Sequence, residues 1–270
     1  MTKTSRIDLQ RAAGVIGREM PTPMPAASPG ANVCGKCGGI GLVKTGPNSS
    51  AACSCQEEAR IAARIRRARI PQAFASASLD NYQPTEGNRN AFTLVRMFVK
   101  EFLPGMQAGL LLTGPPGVGK THLAAGALRQ LVIDKGIEAR FVDVRELLDR
   151  LRSSYDDNAR ESAAQIMGPI MSADLVVIDE LGAARASEWV FETQELLIGG
   201  LYNRQAAVIV TTNLRNLRAG ASVRDPGNEY ARAAAAETLG DRIGDRMWSR
   251  LQQMCRAAEI TGQDWRQKRP

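Results

Sequence analysis

A chain of 270 residues, 44% hydrophobic and 23% charged, has the make-up of a soluble globular protein, with length for one large domain or a domain plus an appendage. No apolar stretch approaches the ~18 residues of a membrane span, and residues 1–20 lack a secretory apolar core, so a cytoplasmic protein with no membrane partner is expected. The net charge of +7 is one-sided: residues 1–107 hold 14 Lys/Arg against 7 Asp/Glu, whereas residues 108–270 hold 21 of each. The N-terminal part therefore presents either a surface for an acidic partner, nucleic acid or protein, or a solvated basic helix.

Residues 1–30 are rich in Ala, Pro, Thr and Ser, with Pro21, Pro23, Pro25 and Pro29 closely spaced, and read as a flexible N-terminal arm after a short helix. Residues 31–70 read as a metal module followed by a basic helix. Cys34-Gly35-Lys36-Cys37 and Cys53-Ser54-Cys55 form a C-x2-C and C-x-C pair, fifteen residues apart. Four thiolates on two tight knuckles can meet tetrahedrally around Zn2+. Gly35, Gly38, Gly39 and Gly41 leave the chain free to wrap the metal. A redox C-x-x-C opens a helix, which these glycines oppose, and a reducing compartment leaves disulfides no role. With no open coordination position, the zinc is expected to be structural. The fifth cysteine, Cys255, reads as a core residue on an apolar helix face.

The helix over 57–70 begins with Glu57 and Glu58 and continues with five Arg, as the helix dipole favours; Pro71 ends it. Residues 71–107 form a linker and lead-in: extended over 72–90, then a helix near 88–103. From 108 to 270 strands and helices alternate. A strand is expected at 108–113, a helix at 120–135, a strand at 138–143 and helices at 145–153 and near 159–171. A strand at 175–179, a helix near 188–203 and a strand at 206–211 follow. This βα alternation implies a three-layer α/β/α domain around a parallel sheet.

Residues 114–121, Gly-Pro-Pro-Gly-Val-Gly-Lys-Thr, match the phosphate-binding pattern G-x-x-x-x-G-K-[ST] in the strand–loop–helix setting it needs. Gly114, Gly117 and Gly119 let backbone N–H groups turn inward around a phosphate, with Pro115, Pro116 and Val118 between them and His122 just beyond. Lys120 can reach the β- and γ-phosphates of ATP, and the Thr121 hydroxyl can ligate Mg2+. The helix N-terminus adds its positive end. A mere Gly/Pro turn would not explain Lys-Thr where the chemistry needs them.

Downstream, Asp174-Leu175-Val176-Val177-Ile178-Asp179-Glu180 is an aliphatic strand ending in two acids. Ligands sit at the carboxyl ends of such strands. Asp179 is placed to hold Mg2+, and Glu180 to polarise the attacking water. Alone this would read as a strand and an acidic turn; the phosphate loop upstream favours the catalytic reading. The strand over 206–211 runs out through Thr211-Thr212-Asn213, where the Asn213 amide could orient a water near the γ-phosphate, or simply serve as a turn exit.

Residues 214–230 read as a long loop, and 231–236 as an Ala-rich stretch. A helix near 237–255 carries Arg242, Arg246 and Arg250 at i, i+4 and i+8, on one face. They either pair with Asp241 and Asp245, or one of them reaches a neighbouring subunit's nucleotide as an arginine finger. A last short strand falls at 257–261.

With these motifs in place the chain resembles the DnaC/IstB group of AAA+ ATPases, the bacterial and phage helicase loaders. The resemblance rests on Gly114–Ala124, Asp174–Gly182, Tyr202-Asn203-Arg204, Val210–Leu214 and Gly240–Leu251, with Ile70–Phe74 and Leu79–Tyr82 as the lead-in. It spans roughly residues 70–266. It implies a P-loop NTPase fold with sheet order 5-1-4-3-2, ATP hydrolysis at subunit interfaces, and hence self-association through the ATP sites. It assigns Asn213 as the sensor at the γ-phosphate and Arg250 as the finger, with Arg246 second. It also implies contact with single-stranded DNA by the helices after residue 144, where Arg145, Arg150 and Arg152 lie. Only residues 262–270 follow the last strand, so no helical lid and no lid arginine are expected, and the loop over 214–238 is longer than is usual for the group.

The expected function is an ATP-dependent loader that grips a replicative DNA helicase through its zinc module. A transposition ATPase of the IstB type, which coats DNA and recruits a transposase, shares the same core; the zinc module and basic helix favour the loader. A zinc and nucleic-acid adaptor using ATP only structurally is a third reading, opposed by the intact Lys120, Asp179 and Glu180.

Overall fold

A computed structural model describes residues 34–46, 49–156, 159–221 and 237–268. The arm expected at 1–30 and the Ala-rich stretch at 231–236 lie outside the described residues, as does most of the long loop before it. The chain divides into two compact units, Met1–Cys55 and Gln56–Pro270.

The first unit is built on a hairpin that the sequence reading did not anticipate. Strands β1 (Leu42–Gly46) and β2 (Ser49–Ala52) pair antiparallel, Leu42 opposite Ala52. The Cys34–Cys37 knuckle precedes β1 and Cys53 follows β2, so the hairpin closes the fifteen-residue gap between the two cysteine pairs. The Cys53 N–H donates to Gly41 O at 2.8 Å. Helix α1 (Ser54–Ala68) starts three residues earlier than expected, which puts Cys55 in its first turn.

The second unit begins with the rest of α1, a 3-10 turn at Gln72–Phe74 inside the segment expected to be extended, and helix α2 (Arg89–Glu101). There follow β3 (Gly109–Thr113), α3 (Lys120–Lys135), β4 (Ala139–Asp143), α4 (Val144–Ser153), α5 (Ala163–Ser172), β5 (Leu175–Asp179), α6 (Glu188–Asn203) and β6 (Ala207–Thr212). Helices α7 (Leu239–Ile243) and α8 (Asp245–Met254), strand β7 (Arg256–Glu259) and a 3-10 turn at Trp265–Lys268 complete it. The parallel sheet has order β4-β5-β6-β3-β7. Counted from the phosphate-loop strand this is 5-1-4-3-2 read from the other edge.

Strands β3, β5 and β6 are buried at every position, which is why they read as unbroken aliphatic runs. Their side chains alternate between two cores. Leu110, Leu112, Leu175, Val177 and Ile209 pack with α2 and α3 residues such as Val95 and Leu128. Leu111, Val176, Ile178, Val208 and Val210 pack on the other side with Leu147, Ile166, Leu197 and Leu251. Because all strands run the same way, Thr113 lies opposite Thr212 and Asp143 opposite Asp179. The segments after β3, β5 and β6 therefore emerge together at one edge.

Three expectations are corrected. The single helix near 237–255 is two helices, broken at Gly244, whose φ of 82° and ψ of 153° lie outside the helical region. Cys255 sits just past α8 in extended backbone rather than on a helix face; it is partly buried, and burial pushes its thiol up to about 12. Helix α5 begins later than expected because Ser162 and Gln165 form a capping box. No helical lid follows β7 among the described residues.

Candidate nucleotide site and metal centre

The phosphate loop joins β3 to α3 through three left-handed glycines: Gly114, Gly117 and Gly119 have φ of 139°, 79° and 99°. These angles are strained for any L side chain. Gly114 is also pressed from outside, since a Cβ there would lie 2.0 Å from Ile260 O. Tyr82 closes the other side of the loop: its ring fills the space beside Gly119 and its hydroxyl donates to Val118 O at 3.4 Å. Pro116 is exposed at the loop's tip. His122, one turn into α3, faces Ser78 O at 3.1 Å and Asn81 Oδ1 at 2.8 Å.

Lys120 is buried. Its Nζ donates to Gly114 O at 2.9 Å, Pro115 O at 2.7 Å and Asn213 Oδ1 at 2.7 Å. Burial lowers its pKa to about 8, against the opposing pull of Asp179 and Glu180. A buried ammonium held only by neutral oxygens is a strong attractor for an anion.

Asp179 ends β5 at 5% exposure. Its Oδ1 accepts Thr121 Oγ1 at 3.0 Å and Thr211 Oγ1 at 2.6 Å. Burial raises its pKa, partly offset by these two hydroxyls. Thr121 and Asp179 offer the hard oxygen ligands Mg2+ requires, so the donor set fits a magnesium nucleotide. Glu180 has a φ of 57°, left-handed and costly for a non-glycine residue. The turn is held by β6: Glu180 N–H donates to Thr211 Oγ1 at 3.0 Å and Leu181 N–H to Thr211 O at 2.9 Å. Thr211 was not singled out in the sequence; only its place beside Asn213 at the end of a buried strand hinted at it.

The arginines depart from expectation. With the break at Gly244, Arg242 does not share a helix with Arg246 and Arg250: it pairs with Glu237 and donates to Ala184 O at 2.9 Å. The partners expected from Asp241 and Asp245 do not form either. Asp241 caps α7 through Thr238, and Asp245 faces Arg218 at 3.4 Å. Arg246 and Arg250 instead converge on Glu195 of α6, at 2.9 and 4.0 Å, and Arg250 also lies 5.5 Å over the Tyr202 ring. Arg145 donates to Ala183 O at 3.3 Å, Arg150 pairs with Glu161 at 2.6 Å, and Arg152 stacks 4.9 Å over Trp189.

In the first unit the sulfurs of Cys34, Cys37, Cys53 and Cys55 all lie within 4.8 Å of one another. Cys34 and Cys53 are 3.8 Å apart, and Cys37 and Cys55 3.6 Å. Tetrahedral Zn–S bonds of about 2.3 Å place sulfurs about 3.8 Å apart, so the set fits zinc. The backbone N–H groups of Lys36 and then Cys37 hold the Cys34 thiol at about 6. The crowding sulfurs, Cys53 first and then Cys37, push Cys55 up to about 12. Four thiols so close cannot all ionise without a cation among them.

Comparison with known proteins gives these sites a context. The family model described as IstB-like ATP binding protein matches residues 53–269; Cys34 and Cys37 lie outside that match. The replicative helicase loader DnaC of Escherichia coli (strain K12) is 25% identical over 190 residues, 68% of this chain and 67% of its own length. A crystal structure of the DnaC helicase loader shares the fold with a TM-score of 0.58 at 30% identity, over 71% of this chain and 100% of that one. A crystal structure of DnaI does so with a TM-score of 0.54 at 23% identity, over 73% and 94%.

Proposed function

The chain belongs to the family of IstB-like ATP binding proteins, among the AAA+ ATPases of the DnaC/IstB group, and from that premise we propose that it hydrolyses ATP to load a replicative DNA helicase onto single-stranded DNA. The observation that carries the reading is the convergence of Lys120, Asn213, Thr121 and Asp179 at one edge of the sheet, within a fold shared with the DnaC helicase loader chain of a solved structure.

In this reading the N–H groups from Gly114 to Thr121 cradle the polyphosphate, and Lys120 exchanges carbonyl partners for phosphate oxygens. Mg2+, held by Thr121 and Asp179, would neutralise charge on the β- and γ-phosphates. Asn213 orients a water in line with the γ-phosphorus. Glu180 accepts that water's proton as its oxygen bonds to phosphorus, the bond to the β–γ bridging oxygen breaks, and ADP leaves. Arg250 of an adjacent copy, or Arg246, stabilises the charge on the transferring phosphoryl group, so self-association completes the site. The zinc module, 31–70 with its basic helix, engages the helicase, and the region of Arg145, Arg150 and Arg152 engages single-stranded DNA.

The test is reconstitution. Purified chain, ATP and the replicative helicase from the same cell are combined with a circular single strand coated by single-strand-binding protein, and helicase transfer to the circle is followed. Transfer that needs both ATP and this chain supports the reading. No transfer and no complex with the helicase would overturn it; stimulation of a transposase instead would move the assignment to the IstB branch.

A further inference from the structure

After β7 the chain turns back over the phosphate loop. Thr261 donates its N–H to Gly87 O at 3.0 Å, and Trp265, opening the last 3-10 turn, donates its N–H to Gly117 O at 3.1 Å. The Asp264 carboxylate fills the space beside Gly117: a Cβ built there would lie 1.8 Å from Asp264 Oδ1. The same oxygen accepts the Arg266 N–H at 2.9 Å and lies 3.8 Å from Arg266 Nε. Asp264 thus ties a second cation to the phosphate loop, and the Arg266 charge is felt at Lys120.

Resting on the reading of Gly114–Thr121 as an ATP site, we propose that this turn is part of the nucleotide site: Asp264 and Trp265 brace the loop at Gly117, and Arg266 adds positive charge to the ATP polyphosphate bound in its own subunit. Three features support this. The backbone contact at Gly117 fixes the turn on the loop itself rather than on a distant surface. The Asp264 carboxylate, which alone would repel a nucleotide, accepts the Arg266 backbone N–H at 2.9 Å, a contact that stays when the side chain moves. The Arg266 side chain is 72% exposed, so its guanidinium can swing onto an arriving phosphate without breaking a packed core. Two like charges beside one loop repel each other, and a polyanion relieves that repulsion.

The experiment measures equilibrium binding of a non-hydrolysable ATP analogue with Mg2+, and of ADP, to the full chain and its variants. Arg266→Ala is expected to bind the analogue about tenfold more weakly, as befits one charge-assisted contact, to lose less with ADP, and to melt like wild type without nucleotide. Arg266→Lys is expected to keep most of the affinity, because it keeps the charge. If the wild type binds neither nucleotide, the ATP-site reading fails and takes this inference with it. If the wild type binds and folded Arg266→Ala stays within about twofold of it for both nucleotides, only the role of Arg266 falls. Equal losses for the Ala and Lys variants, with a lowered melting temperature, would make Arg266 a structural residue and also overturn the inference.

Discussion

The Lys120 ammonium lies 2.7 Å from the Asn213 side-chain oxygen, across 93 residues of sequence. The parallel register of β3 and β6 produces this contact: with Thr113 opposite Thr212, the first residue out of each strand is Gly114 and Asn213. A phosphate arriving at Lys120 therefore arrives within reach of the Asn213 amide. In the proposed mechanism the two residues divide the work, one holding charge and the other orienting water. Asn213→Ala is expected to lower ATP turnover about tenfold or more while changing nucleotide affinity only slightly, whereas Lys120→Ala should weaken binding itself. Parallel titrations and turnover assays separate the two; an Asn213→Ala protein that hydrolyses ATP at the wild-type rate would remove the sensor role.

In the proposed mechanism Glu180 carries the proton-transfer step. Its left-handed φ of 57° is imposed by the two hydrogen bonds to Thr211 and swings the chain out of β5 immediately after Asp179. Glu180→Gln keeps the shape and the phosphate contacts and removes only the basic carboxylate. It is expected to retain ATP affinity and to slow turnover by about 10²–10⁴-fold. Wild-type turnover in this variant would mean that the base lies elsewhere.

These two acids and the glycine loop were legible in the sequence because each depends on local spacing and on strands buried on both faces. The sheet order came from the family resemblance and agrees with the fold found. What escaped had physical reasons. The Gly244 break was hidden by the regular four-residue spacing of Arg242, Arg246 and Arg250, although a glycine inside a helical pattern is itself a warning. The hairpin of the cysteine unit is short and largely exposed, so its strands carry no apolar–polar alternation. The docking of Asp264 and Trp265 on Gly117 joins segments far apart in sequence and leaves no local signature.

The cysteine unit makes a separate prediction. Its hairpin is two short strands, one exposed throughout, and an isolated hairpin is marginal in water. A metal bound by the four cysteines would supply the cohesion. Protein purified without chelator is expected to carry about one Zn2+ per chain, and Cys53→Ser should release it. Nucleotide affinity should survive the release, because Lys120, Thr121, Asp179 and Asn213 all belong to the second unit, while helicase binding should be lost. Metal analysis showing no zinc would refute the assignment; zinc loss that leaves helicase binding intact would refute the role of the module.

The last prediction concerns the arginines on Glu195. Arg246 is 73% exposed and ion-paired at 2.9 Å, whereas Arg250 is 19% exposed, 4.0 Å from the same carboxylate and stacked on Tyr202. Arg250 is thus held in place by its own chain, while Arg246 is the more exposed of the two. If Arg250 acts on the ATP of an adjacent copy, turnover per subunit should rise with protein concentration and on DNA. Arg250→Ala should bind ATP normally yet turn over slowly. Fingers elsewhere are worth about 10³–10⁵ in rate, and a slow switch of this kind should show less. Mixing Arg250→Ala with Lys120→Ala should restore part of the activity, since the first supplies an intact ATP site and the second an intact finger. A purely structural Arg250 gives the opposite pattern: loss of the Tyr202 stack and the weak Glu195 pair lowers stability slightly, and mixing rescues nothing. Well-folded Arg250→Ala with unchanged DNA-stimulated turnover would pass the role to Arg246, whose alanine variant should then show the slow turnover and the rescue on mixing.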